Sequence, residues 1–145
     1  MFTHLLIATD GSELAAKAEL TGLCLAKRMG ARVSVVTATE PWSAMTIGDA
    51  SAFDFPIEDF EKAAARRAGE ILARVREAAV PFQMRCETAH VVDFPAEAII
   101  ATAKAKACDL IVMASHGRRG VSAVVLGSET LKVLTHSKIP VLVYR

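Results

Sequence analysis

The sequence predicts an α/β domain built on an open, doubly wound, five-stranded parallel sheet. Two observations lead to this fold class. Short apolar runs alternate with longer segments of helical periodicity, and several of these runs contain no polar residue, as in strands that are buried on both faces. The length of 145 residues fits one domain spanning residues 1–145.

The first βαβ unit is predicted near the start of the chain. Residues 5–8 are apolar and too few for a helix, so they predict a buried strand. Residues 13–29 place apolar side chains on one helical stripe, and Gly30 follows where that helix should end. Residues 33–38 are largely β-branched and apolar, which predicts the second strand.

The rest of the chain continues the alternation. Glu58 and Asp59 place acidic side chains at the positive end of a helix, and Pro95 suits the first turn of another. Polar residues within the third strand indicate a position near a sheet edge. The remaining elements are predicted as a long mobile loop over 40–57, helices over 58–79, 95–107 and 128–136, and strands over 82–92, 110–114 and 141–144.

Composition and charge exclude several classes of protein. The formal net charge of +1 excludes nucleic-acid binding through bulk electrostatics. No stretch between charged residues exceeds nine residues, whereas a membrane-spanning helix needs about 20. The N-terminus has no basic region before its apolar run and no cleavage site of a signal peptide, and the three cysteines form no CxxC pair. We therefore expect a cytoplasmic protein with no membrane or nucleic-acid partner.

Two polar segments follow the first and the fourth predicted strands. Residues 9–12 (Thr-Asp-Gly-Ser) follow the first strand, and residues 115–120 (Ser-His-Gly-Arg-Arg-Gly) follow the fourth. In open α/β sheets, ligands bind at the carboxyl ends of the strands, where the strand order reverses. Glycines admit an anion close to the backbone, and a helix beginning at Ser128 presents free N–H groups. These features predict a cradle for a phosphate chain, although Gly127 and Ser128 are also an ordinary start for a helix.

A longer pattern resembles a known family. Residues 113–117 (Met-Ala-Ser-His-Gly), Gly127-Ser128 and residues 138–143 (Lys-Ile-Pro-Val-Leu-Val) resemble the signature of the universal stress protein family. Residues 6–12 resemble its opening strand and acidic turn. The resemblance spans the whole chain. It implies a Rossmann-like three-layer sandwich of the adenine nucleotide alpha-hydrolase type and a role in the stress response.

In this family the glycine pattern G-x2-G-x9-G-S/T distinguishes members that bind ATP. Its second and third glycines correspond to Gly117 and Gly127, its hydroxyl residue corresponds to Ser128, and the spacing is kept. Its first glycine is replaced by Ala114. Because alanine adds only a methyl group and Ala114 ends a predicted strand, where a positive φ is not needed, we expect the replacement to be tolerated.

The resemblance implies a site for ATP, with ADP and AMP as alternatives, and for Mg²⁺. It places Ala8 and Thr9 beside the adenine, and backbone groups of Ala38 at the adenine edge. Met113 and Ala114 line the ribose side of this expected site.

The resemblance also implies that Asp10 lies near the ribose or a bound Mg²⁺, and that Gly117, Gly127 and Ser128 hold the phosphates. We add Arg118 as a phosphate clamp, because a guanidinium pairs well with phosphate oxygens. A Cβ at Gly127 is expected to block the approach of the phosphates. The predicted binding residues are completed by Ser115, His116, Gly120 and Glu129.

Several of these residues have structural alternatives. Asp10 is also a candidate N-cap for the following helix, and Arg118 and Arg119 are also typical of a solvated loop. His116 has no nucleophile with an orienting partner to serve, so we expect a loop or capping role and predict no catalytic residue. Asp93 stands where many family members have glycine, and its role stays open between repulsion of phosphate and binding of a metal.

Two functions stay open. The first is a nucleotide-binding stress-response or signalling switch with slow or no ATP hydrolysis, in which the nucleotide orders residues 40–57 over the site. The second is a dimeric interaction module that does not bind nucleotide. A flavin carrier shares the sheet type, but the acidic turn at residues 9–12 suits a flavin phosphate poorly. For either function we expect a homodimer through residues 141–144, since an apolar edge strand needs a partner.

Overall fold

The computed structural model describes residues 1–45, 56–118 and 125–145. Its strands are β1 (His4–Ala8), β2 (Arg32–Thr39), β3 (Cys86–Val92), β4 (Leu110–Ala114) and β5 (Val141–Tyr144). Its helices are α1 (Glu13–Met29), α2 (Trp42–Met45), α3 (Ile57–Ala79), α4 (Pro95–Ala105) and α5 (Ser128–His136). The strands are all parallel in the order β3-β2-β1-β4-β5, which confirms the predicted fold class.

Two apolar cores lie on opposite faces of the sheet. Because successive strand residues point to opposite faces, Ile7 packs in the cluster that contains Leu23 of α1, whereas Leu6 packs with Ile99 of α4 and Val133 of α5. β1 and β4 are buried along their whole length. Their uninterrupted apolar sequences thus follow from helices on both faces of the sheet.

The strand order reverses between β1 and β4. After β1 the chain adds β2 and β3 on one side, and it then returns to add β4 and β5 on the other. Ile7 pairs with Val112, so the carboxyl ends of these two strands lie next to each other. This arrangement opens a crevice between the segments that follow β1 and β4.

Helix α1 begins and ends where the sequence indicates. Ser12 is the N-cap and its side chain accepts a hydrogen bond of 3.2 Å from the Ala15 N–H. Gly30 ends the helix in the left-handed conformation, with φ of 65°. Among the helices described by the structure, none is long and apolar enough to cross a membrane.

The predicted strand over 82–92 begins too early. Val80–Phe82 form a turn of 3₁₀ helix that extends α3, and β3 starts only at Cys86. Gln83 has a φ of 56° and donates its N–H to the Val80 carbonyl at 2.9 Å. The chain therefore completes a tight turn here before it can enter the sheet, and the apolar residues of the turn imitate a strand pattern.

Helix α4 is two residues shorter than the predicted 95–107. It ends at Ala105, and Ala107 has a φ of 52° with its N–H bonded to the Lys104 carbonyl at 3.1 Å. A left-handed residue after a helix turns the chain toward the next strand. Here it leads into β4.

The loop predicted over 40–57 is wrong at both described ends. Trp42–Met45 form a short helix, and the Trp42 ring lies 4.8 Å from the Phe60 ring of α3, measured between centroids. The first residue of α3 is Ile57. Residues 46–55, the centre of this predicted loop, lie outside the described residues.

Candidate functional site

The turn between β1 and α1 is held by side chains bonded to its own backbone. The Thr9 hydroxyl accepts a hydrogen bond from the Gly11 N–H at 3.1 Å, and Asp10 Oδ1 accepts one from the Ser12 N–H at 2.9 Å. Gly11 has a φ of 75°, a conformation that favours glycine. Because Ser12 is the N-cap of α1, the interpretation of Asp10 as that N-cap is wrong.

Asp10 also reaches across the crevice to the segment that follows β4. Its Oδ2 accepts a hydrogen bond of 2.9 Å from the Arg118 N–H. A Cβ built on Gly117 would collide with this same oxygen. Gly117 therefore lets a carboxylate from one loop approach the backbone of the other, and the two sequence segments singled out above do meet.

The structure gives a reason for glycine at position 127 that differs from the predicted one. Its N–H donates to the Ser115 carbonyl at 2.8 Å. A Cβ on Gly127 would lie 3.2 Å from His116 Cα and 3.3 Å from the Ser115 oxygen. Such a Cβ would thus press on the protein's own backbone, where two chain segments cross closely; the expectation that it blocks phosphates stays a prediction.

Helix α5 starts close to the segment that follows β4. Gly127 is its N-cap and, among the described residues, no side-chain hydrogen bond caps it. Thr130 Oγ1 donates a 3.0 Å hydrogen bond to the Ala114 carbonyl, which ties the helix to the end of β4. The Glu129 carboxylate instead bonds the Ala96 N–H at 2.9 Å and Lys132 Nζ at 2.9 Å. The Glu129 side chain is thus committed to the start of α4.

The residues expected around the adenine and ribose form the floor of the crevice. Ala8, Thr9, Met113 and Ala114 are each at most 8% exposed at the ends of β1 and β4. Ala114 belongs to β4, so the extended conformation expected for it is confirmed. Ala38 lies near the end of β2, two residues beyond Val36, the partner of Ala8.

A cleft of about 310 Å³ opens beside this floor, between the start of α1 and the segment after β4. Lys17 and Arg118 bring positive charge to it, and Glu13, 3.9 Å from Lys17, brings negative charge. His116 also lines the cleft, and its Nδ1 lies 3.1 Å from Ser115 Oγ. The predicted binding residue Gly120 lies outside the described residues, as does Arg119.

Asp93 lies at the carboxyl end of β3, apart from β1 and β4. Its N–H donates to the Thr39 carbonyl at 3.0 Å, and its Oδ1 accepts from the Phe94 N–H at 2.8 Å. The first bond ties the end of β3 to the end of β2, and the second lies at the N-cap of α4. Neither the repulsion of phosphate nor the binding of metal expected for Asp93 is tested by them.

Sequence reasoning missed Glu19. This residue of α1 is 7% exposed and accepts a hydrogen bond from the Thr9 hydroxyl. The signal was present in the helical spacing, because Glu19 shares a face with the buried residues Ala15 and Leu23. A carboxyl group on an apolar stripe, about two helix turns after a polar turn at a strand end, is therefore a feature that sequence analysis can search for.

Comparison with known proteins decides the family. The model of the universal stress protein family matches residues 1–145. The chain belongs to this family. A universal stress protein of Thermus aquaticus is 34% identical over 147 residues, and universal stress protein YxiE of Bacillus subtilis is 32% identical over 149 residues; each match covers all of both proteins.

Solved structures of universal stress proteins share the fold. UspA from Lactobacillus plantarum has a TM-score of 0.82 at 23% identity, with 99% of this chain and 97% of that chain covered. A universal stress protein in complex with cAMP has a TM-score of 0.71 at 22% identity, with 99% and 97% covered. One from Archaeoglobus fulgidus in complex with dAMP has a TM-score of 0.69 at 18% identity, with 100% and 98% covered. At these identities the likeness shows the fold alone.

Proposed function

We propose that this universal stress protein binds an adenine nucleotide, ATP with Mg²⁺ in the first place and ADP or AMP as alternatives. The site is the crevice at the carboxyl ends of β1 and β4, and the protein acts as a stress-response switch with slow or no hydrolysis. The observation that carries the proposal is the Asp10 carboxylate, which lies against the backbone of Gly117 and Arg118. It does so near the start of α5, where Gly127 is the N-cap and no side chain of the described residues caps it.

Asp10 keeps acceptor capacity for a ligand. A carboxylate has about four lone-pair positions on its two oxygens. One on Oδ1 is taken by the Ser12 N–H and one on Oδ2 by the Arg118 N–H. In the proposal the remaining positions accept a ribose hydroxyl or ligate Mg²⁺, while the two backbone bonds hold the carboxylate in place.

The phosphates are assigned to the start of α5 and the cations near it. N–H groups of a first helical turn favour an anion, and α5 begins at Ser128, directly after Gly127, whose own N–H is bonded to Ser115. Arg118 and Lys17 add positive charge at the adjoining cleft. His116 lines the same cleft, and its Nδ1 lies 3.1 Å from Ser115 Oγ.

Two relatives of known structure support the choice of an adenine nucleotide. One universal stress protein is in complex with cAMP and another with dAMP, and both share the fold of this chain. These ligands share the adenine and one phosphate, and for the adenine the proposal uses the buried floor of Ala8, Thr9 and Met113, with Ala38 at the edge. The number of phosphates on the bound nucleotide is a question for experiment.

Isothermal titration calorimetry with ATP and Mg²⁺ tests the proposal. Wild-type protein is expected to bind, and Asp10→Ala to weaken binding at least roughly tenfold, since one charged hydrogen-bonding group contributes about 1.5–3 kcal/mol. Asp59→Ala is the matched control, because Asp59 is an exposed acid in the first turn of α3. If the wild-type protein shows no binding at millimolar ATP, the proposal is wrong.

A second function is favoured by one observation. The Arg118 and Gly127 amides are already bonded within the protein, to Asp10 and Ser115. A dimeric interaction module without nucleotide would keep these bonds permanently. The absence of ATP binding together with an intact dimer would support this function.

In both functions we propose a homodimer formed through β5 in the cytoplasm. β5 is an edge strand paired with β4, and its residues Val141–Tyr144 are only partly buried. A second copy would satisfy the open edge. The three cysteines form no disulfide, which suits a reducing compartment. A dimer mass is expected in light scattering at micromolar protein; a monomer mass contradicts the assembly.

A further inference from the structure

Glu19 is a buried carboxyl group next to the proposed site. It lies on the inner face of α1 with Ala15 and Leu23, and only 7% of it is exposed. Its Oε1 accepts a hydrogen bond from the Thr9 hydroxyl. Among the residues that the structure describes, no Lys, Arg or His nitrogen lies within 4.0 Å of this carboxylate.

This placement costs stability. Burial raises the pKa of Glu19 and the charge of Asp10 adds to that, while the hydrogen bond from Thr9 and the charge of Arg74 on α3 act against it. A carboxyl group with one hydroxyl partner inside a protein is poorly compensated. A leucine of similar volume would pack on the same apolar stripe without that cost.

The hydrogen bond to Glu19 determines what the Thr9 hydroxyl can do. A hydroxyl has one hydrogen to donate and two lone pairs. Because the Thr9 hydrogen is directed at Glu19, the oxygen presents a lone pair to the Gly11 N–H, which donates at 3.1 Å. Glu19 thus fixes the orientation of the group that holds Gly11.

The turn held in this way carries Asp10. Gly11 is packed closely, since a Cβ there would lie 2.7 Å from Ile71 Cγ1 of α3. Asp10 lies between the two residues joined by the Thr9–Gly11 hydrogen bond, and its carboxylate extends the other way, to Arg118. The direction of Asp10 therefore depends on the same hydrogen bonds.

We infer that Glu19 is a positioning residue of the nucleotide site, which acts through Thr9 and Gly11 to hold Asp10 against the segment after β4. This inference rests on the proposed function. It requires that Glu19 favour ligand binding while it disfavours folding. A residue that merely supports the fold would affect both in the same direction.

Three variants test the inference, with binding of ATP and Mg²⁺ measured by calorimetry and stability measured by urea unfolding. Glu19→Leu is expected to unfold at equal or higher urea but to bind roughly tenfold more weakly, since a small misplacement of a binding group has effects of that size. Glu19→Gln keeps an acceptor for the Thr9 hydroxyl and is expected to recover most of the affinity. Thr9→Val removes the hydroxyl and is expected to lose the affinity and also stability, because Glu19 is then left without its partner.

The double variant Thr9→Val with Glu19→Leu is expected to bind no more weakly than Thr9→Val alone, as for two residues that act through one bond. Unchanged affinity in Glu19→Leu overturns the inference, as does a parallel loss of affinity and stability, or a Glu19→Gln variant as weak as Glu19→Leu. If Glu19→Leu does not fold, the double variant Thr9→Val with Glu19→Gln takes its place. The inference is then overturned if the losses of affinity of the two single variants add up in the double variant. Wild-type protein that binds no ATP overturns the proposed function and this inference together, whereas the other outcomes leave the proposed function standing.

Discussion

The two ends of the sheet use polar residues in opposite ways. At the amino end, Asp109 accepts hydrogen bonds from the Thr3 N–H, the Thr3 hydroxyl and the His4 N–H, at 2.8, 2.8 and 3.0 Å. At the carboxyl end, the Asp10 carboxylate accepts from two backbone amides, near the start of α5, which no side chain of the described residues caps. The first arrangement closes on itself and stabilises the fold, whereas the second leaves capacity for a ligand.

At the amino end of the sheet, both ring nitrogens of His4 have hydrogen-bond partners. Its ring is buried, and Arg32 Nη2 donates to its Nδ1 at 3.3 Å. An arginine has only donors, so Nδ1 accepts, and Nε2 carries the hydrogen toward Ser34 Oγ at 2.9 Å. Burial and then the charge of Arg32 lower the pKa of His4, so this closed network contains a neutral imidazole.

The largest expected effect comes from removing the Asp109 carboxylate at the amino end of the sheet. Asp109→Ala removes the acceptor of three hydrogen bonds, and we expect a loss of about 2–3 kcal/mol in the free energy of unfolding, measured in urea. β1 separates the two ends by roughly 15 Å, a distance at which effects are usually independent. ATP affinity should therefore not change, and a parallel loss of affinity would show that the two ends are coupled.

The next effect comes from the carboxyl end. In Gly117→Ala the new methyl group displaces the Asp10 carboxylate from the Arg118 amide. We expect ATP affinity to fall roughly tenfold, or about 1.4 kcal/mol. Because only a side-chain tip must move, unfolding should change by less than about 0.5 kcal/mol.

Gly69→Ala is the matched control for this variant. Gly69 lies within α3, and a Cβ there meets nothing within 4 Å. The control is expected to gain about 0.5–1 kcal/mol in stability without a change in affinity. Equal affinity in Gly117→Ala and wild type would mean that the contact of Asp10 with the second loop plays no part in binding.

Lowering the pH should reduce the free energy of unfolding through His4 at the amino end of the sheet. Its pKa in the folded protein is below the ordinary value of 6.5, so the unfolded chain binds more protons as the pH falls below 6.5. Stability that is fully present above pH 6.5 is then lost toward the folded pKa, with a slope of at most about 1.4 kcal/mol per pH unit. His4→Gln is expected to remove this slope in urea unfolding between pH 5 and 7.

Glu19 acts in the opposite direction above pH 4.5. Its pKa is raised above 4.5, so the cost of its ionised form is relieved as the pH falls. The measurement is cleanest in the Glu19→Leu background, where this opposing contribution is absent. An identical pH profile with and without His4 would contradict the neutral, buried imidazole.

The smallest effect concerns Glu129, which the sequence assigned to the ligand and the structure bonds to α4. Glu129→Ala leaves the Ala96 N–H at the start of α4 without its cap, which should cost about 1 kcal/mol in stability. Glu13→Ala is the control, because its pair with Lys17 is exposed and 3.9 Å long. Thermal unfolding compares the two, and equal shifts would contradict the capping role.

The bounds of strands buried on both faces were predicted more accurately than those of the partly exposed strand β3. β1 and β4 were located within one residue, because strands buried on both faces need uninterrupted apolar runs. The start of β3 was missed by four residues, since the 3₁₀ turn at Val80–Phe82 is apolar without being extended. In the site, Asp10 and Gly117 were identified from the strand ends and the motif, but the contact between them was not.

The sequence by itself determined the order and type of the main elements, the two polar segments at the strand ends and, through its motif, the family. These properties are local, or depend on spacing along the chain. Only the tertiary structure decided which groups meet: Asp10 with an amide 108 residues away, Glu19 with Thr9, and His4 with Ser34. Such contacts depend on strand order, register and helix rotation, because distant residues become neighbours only after the sheet has assembled, and no local periodicity records that outcome.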